Sequence, residues 1–253
     1  MARTETTTDA RRALLGRLID HAPLFPPASL PPDEALAEDR RFRSGPYGWL
    51  VNRFVVPASK LPEVTGEPLP LSVVLDSGAL PPPDDRIEAV EAPPALDPDV
   101  LVDAAAEIYV EVQPADAIRL DQLAALGLRA KVRCGGERVP RPGALAEFIW
   151  ACRRRGLAFK ATAGLHHPVR SDDEHGFLNL LAAAIFGDEA DALEEEDAAA
   201  FRLTEHEFAW RDRTAGPEEI ARVRTELFVG FGSCSAQEPV DALLALDVLP
   251  SGA

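Results

Sequence analysis

Only three of the 26 basic residues in this chain are lysines, Lys60, Lys131 and Lys160; the rest are arginines. Arginine stays protonated in proteins, whereas a buried lysine can lose its proton and act as a nucleophile or base. A lysine kept in so arginine-rich a chain is a candidate for its amine. Lys131 and Lys160 each sit in a run with strand character, LRAKVRC (128–134) and LAFKATA (157–163). Strand alternation puts Lys131 on one face with Arg129 and Arg133, and Lys160 with Thr162. In EIYVEVQ (107–113), Glu111 shares its face with Tyr109 and Gln113, opposite Ile108, Val110 and Val112. Neighbouring strands lie about 4.8 Å apart, so Glu111, Lys131, Arg133 and Lys160 can converge if their strands are adjacent. Crowded cations depress a lysine pKa, and a near-neutral amine is the nucleophile that imine chemistry needs, with Glu111 as proton carrier. The competing interpretation of the same residues is a buried ion-pair network that fills a barrel.

The elements that must position these residues alternate along the chain. Strands are predicted at 49–56, 71–76, 86–92, 107–113, 128–134, 157–163, 206–210 and 227–232, the seventh being the weakest. Helices are clearest at 115–126, 142–155, 176–187, 217–226 and 237–247. This βα rhythm implies a parallel sheet. Eight strands in a chain of 253 residues suit an α/β barrel. A doubly wound open sheet is disfavoured because no GxGxxG follows the first strand. The predicted organisation is an N-terminal helical extension over 1–48 and a (β/α)8 TIM-like barrel over 49–253. In the extension, Asp9 caps a first helix carrying Leu14, Leu15, Leu18 and Ile19 at helical spacing, and a second helix spans 33–43. Pro-rich connections at 81–85 and 92–94 predict short or missing helices early in the barrel.

Other residues fall at the strand ends. GLHHPVR (164–170) places His166 and His167 at the rim, His166 as a general acid or base. His175 and Asn179 lie one helical turn apart and can face the same cleft. GFGSCSAQEP leaves backbone N–H groups of Gly232, Ser233 and Ser235 at a helix start, a setting that favours an anion. Asp76 and Glu91 end the second and third predicted strands and are second-line candidates.

Three stretches together carry a resemblance: Lys131-Val-Arg-Cys-Gly-Gly, Phe159-Lys160-Ala-Thr-Ala-Gly and Phe231-Gly232-Ser233-Cys234-Ser235. They resemble the strand ends of class I aldolases of the deoxyribose-phosphate type. By that resemblance Lys131 is the Schiff-base residue, Lys160 the neighbour that tunes it, and the final Gly-Ser turn binds phosphate. The match covers some twenty residues. An extra helix and strand fall between Lys160 and Gly232, and the family's acidic relay has no clear counterpart. Over most of its length the chain resembles a set of bacterial proteins with similar LIDxAxLFPPA, RFVVPA, FKATAGLHHP, HGFLN and FGSCS stretches, a likeness that implies no activity.

A net charge of −16 disfavours nucleic acid and anionic membranes as partners. Arginine replaces the apolar core of a secretory leader near the start, and Cys134, Cys152 and Cys234 form no CxxC pair, so a cytoplasmic location is expected. A small anionic substrate is expected, with no cofactor; a homo-oligomer is compatible with the sequence. The leading reading is a lysine-dependent lyase or isomerase acting on a small carbonyl compound, phosphorylated or not. A divalent-metal barrel enzyme using His166, His167 or His175 and a non-catalytic binding protein on a degenerate barrel are the alternatives.

Overall fold

A computed structural model describes residues 9–65, 68–136, 139–172 and 174–250. In chain order the regular elements are α1 (Ala10–Leu15), β1 (Ile19–His21), α2 (Pro32–Arg43), β2 (Val51–Pro57), β3 (Leu71–Val74), β4 (Ile87–Ala92) and β5 (Glu107–Glu111). There follow α3 (Ala117–Ala125), β6 (Arg129–Arg133), α4 (Pro142–Arg155), β7 (Phe159–Thr162), α5 (Phe177–Phe186) and α6 (Glu189–Glu194). The last are β8 (Phe201–Leu203), β9 (Phe208–Trp210), β10 (Arg213–Ala215), α7 (Pro217–Glu226), β11 (Phe228–Ser233) and α8 (Gln237–Ala245).

Eight parallel strands close into a ring in the order β1-β11-β7-β6-β5-β4-β3-β2. The architecture is the α/β TIM-like barrel expected, with two corrections to its strands. The first barrel strand is β1, inside the segment expected to form a helical extension ahead of the barrel, with Ile19 on its first helix. The helical run stops at Leu15, and Ile19–His21 pairs with both β11 and β2. Conversely, the predicted strand at 206–210 is β9, which sits between β8 and β10 in a separate antiparallel sheet. The ring therefore passes directly from β7 to β11.

The helices end where local chemistry ends them. Helix α4 has Pro142 at its first position, three arginines (153–155) in its last turn and a left-handed Gly156 as its stop. Its buried face (Leu145, Phe148, Ile149, Cys152) packs on the outer side of the barrel. There the Phe148 ring meets Phe159 edge-on at 5.1 Å, and Phe159 stacks on Phe228 at 5.2 Å. Burying each such ring stabilises the fold by about 2–3 kcal/mol. Every residue of α5 is buried, between the barrel, α6 and the small sheet. As the prolines predicted, no helix lies between β3 and β4 among the described residues, and the connection after β4 carries only a short 3₁₀ turn (Pro98–Leu101); a further 3₁₀ turn follows β2 (Ala58–Glu63). Among the described residues no helix is long and apolar enough to cross a membrane.

Candidate functional site

The outer faces of β5, β6 and β7 are apolar, so their alternate residues point into the lumen. Cα register places Glu111 beside Lys131 and Lys131 beside Lys160. The sequence-derived trio therefore forms one row across three adjacent strands.

Two carboxylates from other strands complete the cluster. Glu91, on β4, lies 2.6 Å from Lys160 Nζ through Oε1 and 3.4 Å from Lys131 Nζ through Oε2. It also accepts a hydrogen bond of 2.8 Å from Ser72 Oγ on β3. Asp20, on β1, accepts from Lys160 through Oδ2, and its Oδ1 accepts from Asn52 Nδ2 (2.8 Å) and the Arg53 amide (3.2 Å). Lys131 reaches Glu111 Oε2 at 3.4 Å. Asp20 escapes a sequence reading because it lies in a stretch with helical spacing, and Glu91 ranks low there because nearby prolines obscure strand parity. An acidic residue inside the apolar run LLGRLIDHA is the available signal for Asp20.

At Lys160 the charges oppose the expected depression. Burial alone would lower the Lys160 pKa, but Asp20, Glu91 and Tyr109 outweigh it and hold the ammonium above its ordinary value. Burial would likewise raise Glu91, but Lys160 and Lys131 hold it at about 2. Lys160 is thus a fixed cation, 1% exposed, with the Tyr109 ring 5.3 Å from Nζ. Beneath it, Tyr109 donates to Glu107 at 2.6 Å, and Glu107 pairs with Arg53 (2.8 Å) and Arg129 (2.9 Å).

Above this layer a cavity of about 870 Å³ opens at the strand C-termini, the end where barrel enzymes carry their sites. Glu91, Glu111, Lys131, Arg133, Lys160, Thr162, His166, Gly232 and Ser233 all line it. A smaller cavity of about 400 Å³ lies at the opposite end, and Lys160 contributes to both walls.

The remaining candidates are placed differently. His166 Nδ1 lies 3.0 Å from Glu238, and the exposed His167 lies 3.5 Å from Glu174. His175 is buried with Nε2 2.7 Å from the Pro140 carbonyl, and burial lowers its pKa. Asn179 donates to the Ala192 and Glu195 carbonyls and accepts from the Arg170 amide, which ties α5 to the chain around α6. Neither His175 nor Asn179 lines the cavity. In the last turn, Ser233 Oγ donates to the Ser235 carbonyl, and Ser235 Oγ accepts from the Glu238 amide. Among the described residues no three His, Cys, Asp or Glu side chains converge as metal ligands, so the histidines of the metal reading do not form a set. Burial raises the Cys134 thiol to about 12, leaving it protonated.

No family model matches the chain, and no curated protein matches it significantly.

Proposed function

We propose that the protein is a lyase or isomerase that acts on a small carbonyl compound through an imine at Lys131. The single observation that carries this reading is the unequal pairing of two adjacent lysines around Glu91. Both lysines line the cavity, but Lys160 is hydrogen-bonded to two carboxylates and its side chain is 1% exposed, whereas Lys131 has only longer contacts, at 3.4 Å, and is 7% exposed.

The chemistry follows from these roles. Lys131 passes one ammonium proton to Glu111, and the neutral amine attacks the carbonyl carbon. That proton and a second one from the attacking nitrogen leave with the carbonyl oxygen as water, so ammonium and carbonyl become a protonated imine and one water. That iminium accepts the electron pair of a neighbouring C–C or C–H bond as it breaks, and the resulting enamine is later reprotonated and hydrolysed. Glu111 is placed to carry protons in both directions.

The resemblance to deoxyribose-phosphate-type aldolases supports the same assignment. Its main departure, an extra strand between Lys160 and Gly232, is not part of the ring, because β9 belongs to the outer sheet. Glu91 and Asp20 supply acidic partners that the motifs alone lack. Borohydride reduction in the presence of small aldehydes and ketones, followed by peptide mass spectrometry, tests the proposal. Adducts are expected on Lys131; their absence across the panel overturns it.

A further inference from the structure

We infer that the substrate is an oxo acid whose carboxylate is held by Arg133; this rests on the imine reading above. Arg133 follows Lys131 by two residues on β6, so it faces the same lumen about 6.6 Å nearer the mouth. Lys131, Lys160 and His166 each have a carboxylate neighbour within the protein. Arg133 makes no ion pair and no hydrogen bond among the described residues, although it lines the cavity. Its guanidinium passes over Gly136, where a Cβ would come within 3.3 Å of Nη2. An unpaired guanidinium at a cavity wall presents a planar fork that matches a carboxylate. Its register partner, Thr162, has a hydroxyl oxygen with no hydrogen-bond partner among the described residues, a second polar group left open beside it.

The charge balance requires such a cation. The inner cluster holds three carboxylates (Asp20, Glu91, Glu111) against two ammonium groups, and an anion approaching Lys131 would meet net repulsion without Arg133. The rival anion seat, the turn at 232–235, has both serine hydroxyls engaged internally and carries the Glu238 carboxylate in the first turn of α8. Across the ring from β6 stands β2, whose Val55 lines the cavity with Phe25, Pro26, Val74 and Leu75. That wall suits a short carbon chain.

Imine trapping with matched probes tests the inference. Pyruvate, acetoacetate and levulinate place a carboxylate at increasing reach from the carbonyl, and their methyl esters remove the charge. Dihydroxyacetone phosphate is the phosphate arm. Expected is borohydride labelling of Lys131 by at least one acid that falls roughly tenfold in Arg133→Ala, with labelling by the matching ester unchanged. Arg133 is exposed and unpaired among the described residues, so the variant should keep the wild-type melting temperature. Labelling by acids and esters that is equally insensitive to Arg133→Ala overturns the carboxylate seat while leaving the imine reading standing. Preferential labelling by dihydroxyacetone phosphate, lost in Ser235→Ala but not in Arg133→Ala, also overturns it. No adduct from any probe removes both readings.

Discussion

Lys131 and Lys160 stand side by side in register on adjacent strands and hold opposite oxygens of one carboxylate, Glu91, at 3.4 and 2.6 Å. Glu91 is 2% exposed and Lys160 1%, so the Lys160 ammonium cannot exchange this partner for water. Glu91→Gln keeps the volume and removes the charge between the two cations. Breaking a buried pair in this way costs about 3–5 kcal/mol. The urea midpoint should fall accordingly; a variant as stable as the parent would show that Asp20 and Glu111 suffice to balance both lysines.

The two lysines should separate on replacement by methionine, which has a similar length. Lys160→Met leaves Asp20 and Glu91 buried without their hydrogen-bonding cation and should lose about 3 kcal/mol or more. Lys131→Met should lose less, because its contacts are longer and its end borders the open cavity. Imine trapping should respond in the opposite order, disappearing in Lys131→Met. Adduct formation that survives Lys131→Met on folded protein would move the nucleophile elsewhere.

Acid should act on the cluster through Glu91. Its folded pKa is held at about 2 against an ordinary 4.5, with burial outweighed by Lys160 and Lys131. The stabilisation it contributes, on the order of 3 kcal/mol, is fully present above about pH 4.5 and is lost as pH falls towards 2. Lys160 has the opposite sign: its raised pKa supplies stability that is complete below its ordinary 10.5 and lost only as pH rises through its higher folded value. Between those limits neither group titrates. The stability gap between wild type and Glu91→Gln should therefore narrow from pH 4.5 down to pH 2; a constant gap would mean that Glu91 is not ionised in the fold.

The row of three is legible in the sequence because β5, β6 and β7 alternate cleanly between apolar and polar residues, and parity alone orients Glu111, Lys131 and Lys160. Asp20 is hidden because β1 is only three residues long and follows leucines at helical spacing. A segment so short takes its conformation from pairing with β11 and β2, which no local pattern records. The FAW stretch at 208–210 shows the reverse: strand propensity identifies a strand but not the sheet that it joins. Its register partners are Phe201–Leu203 and Arg213–Ala215, neither of which is among the predicted strands. His175 and Asn179 do flank the start of a helix, as their spacing suggests. Their buried bonds to backbone carbonyls depend on how α5, α6 and the chain before α4 pack, which helical spacing does not specify.

The loops that follow β6 and β7 touch through glycine, and this contact should be more sensitive than any exposed glycine. A Cβ at Gly135 would lie 2.6 Å from Gly164 Cα, and one at Gly164 would lie 2.7 Å from Gly135 Cα and 3.0 Å from the Cys134 carbonyl. Gly164 also adopts φ +68°, which costs an alanine about 1–2 kcal/mol before any clash. The obstructing atoms are backbone, so the loops themselves must part. Both loops line the cavity immediately beyond Lys131 and Lys160, and their separation would shift the rim that carries Arg133 and His166. Gly164→Ala should therefore lose roughly 2–4 kcal/mol of stability and reduce imine trapping in the protein that remains folded. Gly143, near the start of α4, has nothing within 4 Å of the place a Cβ would take, and Gly143→Ala should raise stability by about 0.5 kcal/mol through helix propensity alone. Thermal melts of the two variants, read beside borohydride labelling, separate a clash at the rim from a general intolerance of alanine; equal melting temperatures would refute the close contact between the loops.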